Sequence, residues 1–376
     1  MKGLVGSFAI AITVAIASSS DMRAAGFERR AGAVFVMTNS AEGNQVFAYP
    51  RAGNGILGER FKYSTGGRGS GGLIDPLESQ GSLVLSEDHS LLFAVNAGSG
   101  TISVFAVHGP RLFLTDVVPS GGSEPNAVAQ RGNIVYVLNT GGTSGAMGFR
   151  INEGGKLQPI ANSRRFLSTN TSGAASLSFS PDGRFLVVSE RLTNSINTFR
   201  VEEDGTLSTL ALNHDAAPGT FAVAFAPNGS VLISETGPEG AQNGSTISSY
   251  VLQDDGTLFP ISIGVPTFGA ATCWHLVTPD GRFVYTDNAG TSNISGFIIS
   301  STGILTPLPG TIQGANPQGS TNLDMAISAN GKFMYTLNAG TGRVGIFAVN
   351  EPGTLTNMGA VEVLAPNAGA NGIAAF

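Results

Sequence analysis

The sequence predicts an all-β protein made of repeated small sheets, and three observations support this prediction. One pattern recurs about every fifty residues: an apolar strand, a tight turn, a second strand, a polar loop and a third strand, as at Leu177–Phe199 and His275–Phe297. Charged residues make up only 12% of the chain, about half the usual share. Glycine accounts for 52 of 376 residues, which suits short buried strands and tight turns. This period is typical of a propeller blade of four strands.

Six copies of the pattern follow one another, beginning near residues 83, 128, 177, 223, 275 and 325. A seventh copy is split between the chain ends. Residues 371–376 (NGIAAF) look like a first strand, and residues 33–39 (AVFVMTN) look like a second strand. Pairing these segments would close the ring and leave no open sheet edge. We therefore expect a seven-bladed β-propeller whose ring is closed by its N- and C-terminal strands.

Turn chemistry supports the strand assignment. Asp-Gly or Asn-Gly follows the first strand of several copies, at residues 182–183, 228–229, 280–281 and 330–331. These dipeptides favour hairpins because glycine, asparagine and aspartate tolerate positive φ. A second Asp-Gly turn, at 204–205 and 255–256, opens the outer fourth strand.

The N-terminus differs in kind from the repeats. Lys2 precedes an apolar run, Leu4–Ala17, which is short for a membrane span and has the build of a secretory signal. We expect residues 1–25 to be a signal peptide, cleaved after Ala17 or Ala25, and residues 26–376 to form the propeller. An uncleaved anchor or a disordered leader is the alternative. The protein is thus expected outside the cell, or in the periplasm of a bacterium.

Composition narrows the possible partners. The net charge is −6 with no basic run, which argues against nucleic acid. The four histidines are dispersed and the single cysteine, Cys273, lies among apolar residues, so we expect neither a metal site nor a cofactor. We expect a monomer that binds a small molecule. The glycine-rich residues 66–72 are interpreted as a flexible loop between blades.

The repeat also predicts which face of the ring would carry the opening of a central binding site, its mouth. Residues before the first strand and after the second should share one face of the ring. One position after the second strand recurs in every copy, occupied by Asn39, Asn96, Asn139, Glu190, Thr236, Asn288 and Asn338. The asparagines are interpreted as a turn device, since asparagine tolerates the left-handed conformation and bonds nearby backbone.

Polar, charged and aromatic residues at or next to this position, or at the entries to the first strands, are candidates for a site. They are Glu124, Asn126, Glu190, Arg191, Glu235, Trp274, His275, Asp287 and Asp324. Carboxylates beside a histidine and an arginine can supply an acid, a base and an anion clamp. Alternatively, these side chains bond to neighbouring blades and hold the ring together.

Two stretches carry a resemblance to a known family. SPDGRFLVVSERLTNSINTFRVEEDGTL at Ser180–Leu207, with its strand-end glutamate and DGTL turn, resembles the lactonase family of seven-bladed propellers. That family includes 6-phosphogluconolactonases and 3-carboxymuconate cyclases. Residues Ser64–Phe105, with TGGRGSGG and LLFAVNAGSGTISVF, are most similar to its secreted cyclase-like branch.

The resemblance implies metal-free opening or closing of a lactone on a small carboxylated substrate. On this hypothesis His275 is the general acid/base, Glu190 orients it or assists it, and Arg191 holds the substrate carboxylate. The remaining candidates would contact the substrate: Glu124, Asn126, Glu235, Trp274, Asp287 and Asp324. The alternative function is a non-catalytic extracellular propeller that binds a ligand or a protein partner at its mouth.

Overall fold

Seven antiparallel sheets follow one another around a closed ring. The computed structural model describes residues 32–239 and 241–376. Every innermost strand contacts the innermost strands of the two neighbouring sheets. The predicted seven-bladed propeller is thereby confirmed. The predicted signal peptide, residues 1–25, lies outside the described residues.

The first blade contains both ends of the described chain. From its innermost strand outwards, blade 1 consists of β29 (Ile373–Ala375), β1 (Gly32–Met37), β2 (Gln45–Arg51) and β3 (Phe61–Ser64). In the same order, blade 2 consists of β4 (Leu83–Leu85), β5 (Leu91–Asn96), β6 (Thr101–His108) and β7 (Arg111–Pro119), with a 3-10 turn at Ala97–Ser99.

Blade 3 differs because its outer strand is broken in two. It consists of β8 (Ser123–Arg131), β9 (Ile134–Gly141), β10 (Gly145–Ile151) and two short strands that both pair with β10, β11 (Leu157–Pro159) and β12 (Arg165–Phe166). Blade 4 consists of β13 (Ala174–Phe179), β14 (Phe185–Glu190), β15 (Ser195–Arg200) and β16 (Ala211–His214).

The last three blades repeat the four-stranded order. Blade 5 consists of β17 (Thr220–Phe225), β18 (Ser230–Glu235), β19 (Thr246–Leu252) and β20 (Leu258–Pro266). Blade 6 consists of β21 (Thr272–Val277), β22 (Phe283–Asn288), β23 (Asn293–Ile299) and β24 (Leu305–Ala315). Blade 7 consists of β25 (Asn322–Ile327), β26 (Phe333–Asn338), β27 (Arg343–Val349) and β28 (Leu355–Glu362).

The ring is closed by pairing the two chain ends, as the split repeat predicted. Val34 pairs with Ala375 and Val36 with Ile373 in antiparallel register. The amide of Met37 donates to the carbonyl of Gly372 at 3.1 Å and extends this pairing. Because β29 supplies the innermost strand of blade 1, no innermost position of the described ring is vacant.

Neighbouring blades are tied together through tyrosines on the second strands. Tyr136, Tyr285 and Tyr335 are buried. Each hydroxyl donates to a glycine carbonyl in an outer turn of the next blade, at 2.7–2.9 Å. A buried phenol hydroxyl needs such a partner. The blade interfaces therefore combine apolar packing with one directed bond.

Hairpin turns and inter-blade connections lie at opposite ends of the strands. In blade 4, Ala174 at the start of β13 pairs with Glu190 at the end of β14, and the turn joins the other ends of the same strands. We call the face that carries Glu190 the mouth. No helix among the described residues is long and apolar enough to cross a membrane.

Candidate functional site

The mouth is filled at its centre by the protein's own chain. Residues 73–80, which we call the plug, belong to the connection between β3 and β4. The Ser79 hydroxyl donates to the Asn126 carbonyl of blade 3 at 2.7 Å. The backbone amide of Gln80 donates to the Ala175 carbonyl of blade 4 at 3.0 Å. The Trp274 indole of blade 6 donates to the Ser79 carbonyl at 2.9 Å, so the plug is bonded to three blades.

The glycine-rich residues before the plug lie against blade 1. Gly71 donates its amide to the Asn39 carbonyl at 3.0 Å, and Gly69 donates to the Ser40 carbonyl at 2.8 Å. A β-carbon on Gly69 would lie 2.2 Å from the backbone of Asn39, so only glycine allows this approach. The connection lies between blades, as expected. It is held by backbone hydrogen bonds, which the interpretation as a flexible loop did not anticipate.

Glu190 is buried within its own blade. Its carboxylate accepts the Ser168 amide at 2.8 Å, the Thr193 hydroxyl at 2.5 Å and further bonds from the Ser168 hydroxyl and the Asn197 amide. All of these donors belong to blade 4 or to the loop before it. The carboxylate is saturated by them and makes no bond to His275.

The recurring asparagines, like Glu190, form side-chain hydrogen bonds to neighbouring strands and loops. Asn96 bonds Thr65 at 2.7 Å and Ser103 at 2.7 Å, and Asn288 bonds Ser295 at 2.8 Å. Of the five asparagines only Asn39 has a positive φ, of 51°. Hydrogen bonding to strands and loops, rather than a left-handed backbone, therefore explains asparagine at the other four positions.

In blade 5 the residue that ends the second strand, as Glu190 does in blade 4, is Glu235. Thr236, which the repeat predicted at this position, lies one residue further on. Glu235 pairs with Thr246 across the hairpin, as Glu190 pairs with Ser195. Glu235 accepts the Thr246 hydroxyl at 2.6 Å, and its Oε1 has no hydrogen-bond partner among the described residues. Burial, together with the nearby Asp215 carboxylate, raises the pKa of Glu235 well above its usual value.

His275 lies on β21 directly beneath the plug. Its backbone amide and carbonyl bond the Gln80 side chain at 3.2 and 2.7 Å. Its ring is fully buried, and neither ring nitrogen has a hydrogen-bond partner in the described parts of the chain. Desolvation lowers the pKa of His275 to about 3, so the imidazole is neutral at physiological pH.

Asp287 and Asp324 tie neighbouring blades together. Asp287 accepts the Asn322 amide of blade 7 at 2.7 Å. Asp324 accepts the Ile373 amide of the closing strand at 3.3 Å. Burial raises the pKa of both carboxyls, that of Asp324 to about 7. These contacts match the alternative in which predicted site residues hold the ring together.

Two more candidates contact the plug, whereas a third, Glu124, lines a separate cavity. Trp274 is buried, with its ring 5.2 Å from that of Phe221. Asn126 donates to the Ala174 carbonyl at 2.7 Å and to the Leu77 carbonyl of the plug at 3.5 Å. Glu124 is exposed and has a φ of 51°. It lines a cavity of about 480 Å³ with Ser70, Ser99 and Ser123, among other residues.

Arg191 is the candidate that reaches the plug with its charged group. Its guanidinium forms an ion pair with Glu78, in which the Arg191 side chain is 28% exposed and the Glu78 side chain 57% exposed. The Nε of Arg191 has no hydrogen-bond partner within residues 32–239 and 241–376. Arginine is well suited to carboxylates because its planar fork offers several donors. The structure thus provides a partly exposed cation at the mouth that already holds a carboxylate.

Asp75, also on the plug, completes this group. It accepts the Asn371 amide at 3.1 Å. Desolvation raises its pKa to about 7. The Asn371 hydrogen bond and the nearby Arg191 charge lower the pKa, whereas the nearby Glu78 charge raises it. A carboxyl group with such a pKa can both take and release a proton at neutral pH.

Sequence reasoning missed Asp75 and Glu78. They lie in a connection, residues 65–82, that is much longer than the one before blade 3, residues 120–122. An unusually long connection is a signal for a functional loop. In the described parts of the chain, no group of three or more histidine, cysteine, aspartate or glutamate residues is arranged to hold a metal ion.

Comparison with known proteins agrees with this architecture. The family model of Lactonase, 7-bladed beta-propeller, matches residues 162–273 and 270–375. These segments cover more than half of the chain, so the protein belongs to the lactonase family of seven-bladed propellers. No curated protein sequence matches it.

Solved structures show the same fold at low sequence identity. A candidate 6-phosphogluconolactonase from Bacteroides uniformis is 21% identical with a TM-score of 0.67, covering 92% of this chain and 100% of its own. A periplasmic gluconolactonase from Pseudomonas aeruginosa is 16% identical with a TM-score of 0.65, covering 91% of this chain and 98% of its own.

Proposed function

We propose that the protein opens a small carboxylated lactone at its mouth by metal-free acid/base chemistry. Arg191 would hold the substrate carboxylate and Asp75 would transfer the proton. The observation that carries this proposal is the partly exposed ion pair of Arg191 and Glu78, close to Asp75. Membership of the lactonase family supports the reaction class, and the neighbours described as gluconolactonases support a small lactone.

The proposed reaction needs one group that changes protonation state twice. In its ionised form Asp75 takes a proton from water while the water oxygen bonds to the lactone carbonyl carbon. The ring C–O bond then breaks, and the departing ring oxygen takes the proton back from Asp75. The product is a hydroxy acid. A pKa of about 7 suits this cycle because both forms are populated near neutral pH.

This proposal moves the acid/base role from His275 to Asp75. His275 is neutral and lies beneath the plug, where its pKa of about 3 leaves little proton affinity. Glu190 is likewise committed to four donors of its own blade. Arg191 keeps the role that the resemblance implied.

Turnover of carboxylated muconolactones and sugar lactones tests the proposal. We expect activity in the wild type and at least a hundredfold loss in Asp75→Asn, since general base catalysis contributes roughly 10²–10⁴-fold. Arg191→Gln should raise KM for carboxylated lactones. The matched control is Arg282→Gln, because Arg282 forms an exposed ion pair with Glu351 on the opposite face, at 2.9 Å. Full activity of Asp75→Asn would contradict the proposal.

The second candidate function is binding without catalysis. The observation that favours it is the plug, which is bonded to three blades and covers His275. If folded wild-type protein binds a carboxylated lactone but does not turn it over, this second function is the better description.

We also propose that the protein is secreted as a monomer after removal of residues 1–25. The apolar run at Leu4–Ala17 supports export. N-terminal sequencing of the protein recovered outside the cytoplasm would show whether cleavage follows Ala17 or Ala25. Size-exclusion chromatography would check the oligomeric state. An intact N-terminus on cytoplasmic protein would contradict this part of the proposal.

A further inference from the structure

We propose that Glu78 is a built-in competitor for the substrate carboxylate at Arg191 and that it weakens the binding of anionic ligands in particular. This inference rests on the proposed function of Arg191. In the structure the Glu78 carboxylate occupies the guanidinium of Arg191. A ligand carboxylate would replace it there, and Glu78 would turn towards solvent.

The exchange requires movement of one side chain only. Glu78 is 57% exposed, so its carboxylate can rotate into water without passing through the protein. Its neighbours Leu77 and Ser79 are buried, and Ser79 is bonded to Asn126 and Trp274. The plug backbone, and with it Asp75, can therefore stay in place while Glu78 leaves.

The backbone of the plug is consistent with a functional role for its two acidic residues. Asp75 has a φ of 44° and Glu78 a φ of 45°. Side chains other than glycine adopt this left-handed conformation infrequently, and at a cost that the surrounding structure must offset. In the plug, the bonds of Ser79, Gln80 and Asn371 hold the segment. This conformation sets the direction in which Glu78 leaves the backbone, towards Arg191.

The effect of the competitor would depend on the charge of the ligand. An uncharged lactone cannot replace Glu78 on the guanidinium, so it gains no ion pair at Arg191. A carboxylated ligand exchanges one ion pair for another, and Glu78 regains its hydration in solvent. Removing the competing charge should therefore favour the carboxylated ligand in particular.

The test compares KM for a carboxylated muconolactone with KM for an uncharged lactone in the wild type, Glu78→Gln and Glu78→Asp. Exposed ion pairs contribute up to about 1 kcal/mol, which corresponds to at most about fivefold in affinity. We expect the ratio of uncharged to carboxylated KM to rise about threefold in Glu78→Gln. Glu78→Asp, which keeps the charge, should lie near the wild type. The control Glu351→Gln breaks the matched pair with Arg282 and should leave the ratio unchanged.

Calorimetric binding of the same muconolactone separates this inference from the proposed function. Tighter binding to Glu78→Gln without turnover by any variant would support the competitor and reject the catalytic proposal. Turnover by the wild type with an unchanged KM ratio in Glu78→Gln would reject the competitor alone. Weaker binding to a Glu78→Gln variant of wild-type melting temperature would also overturn it.

Discussion

Glu190 in blade 4 and Glu235 in blade 5 occupy the same position in their sheets but have different surroundings. Each ends the second strand and pairs with the first residue of the third. Both are fully buried. Glu190 accepts four hydrogen bonds. Glu235 accepts the Thr246 hydroxyl, lies near the Asp215 carboxylate and leaves Oε1 without a partner among the described residues.

The difference shows that the strand position alone does not decide what a glutamate does. The loop before blade 4 brings the Ser168 amide and hydroxyl to Glu190, and β15 adds Asn197. Near Glu235 the preceding loop brings another carboxylate, Asp215, which is held by Tyr250 at 2.5 Å and Thr220 at 2.7 Å. A neighbouring carboxylate disfavours the charged form of a carboxyl, and Asp215 acts on Glu235 in this way.

The largest expected difference between the two positions appears when each glutamate is replaced by glutamine. Glu190→Gln presents an amide group to donors that need an acceptor, and we expect a loss of about 3 kcal/mol in the free energy of unfolding. Glu235→Gln removes a poorly compensated carboxyl and should change it by less than about 1 kcal/mol near neutral pH. Urea unfolding of both variants measures this. Equal losses would show that the two surroundings are energetically the same.

A smaller effect is expected in the pH dependence of stability at Glu235. Because the folded pKa of Glu235 is raised above its ordinary value of 4.5, its folded form binds the proton more tightly than its unfolded form. Its contribution to stability is full below pH 4.5 and is lost as the pH rises towards the folded pKa. The melting temperature of Glu235→Gln relative to the wild type should therefore increase with pH. A difference that is constant with pH would contradict the raised pKa.

The smallest effect should come from the Thr246 hydroxyl, which donates to Glu235. Thr246→Val keeps the shape of the side chain and removes the 2.6 Å bond, for an expected loss of about 1 kcal/mol in unfolding free energy. Combining it with Glu235→Gln measures the coupling between the two residues. Strictly additive losses would show that glutamine at position 235 does not accept the Thr246 hydroxyl differently from glutamate.

The fold was predictable from sequence because its determinants are local. The repeat of strands and Asp-Gly turns defines each blade, and the split copy at residues 33–39 and 371–376 identifies the closing pair. The site depends on contacts without such local signals. Arg191 meets a residue 113 positions away, and Trp274 bonds Ser79 from 195 positions away. Neither contact follows from the repeat, because the plug belongs to a connection and not to a blade.

The plug also changes how the ring can come apart. In a simple repeat array each unit is stabilised by its two neighbours, so units can open one after another. In this propeller the plug is hydrogen-bonded to blades 3, 4 and 6 across the centre of the ring. Opening of blade 6 must release Ser79, and with it bonds that also fasten blade 3. We therefore expect the propeller to unfold as one cooperative unit, although its sequence is a series of repeats.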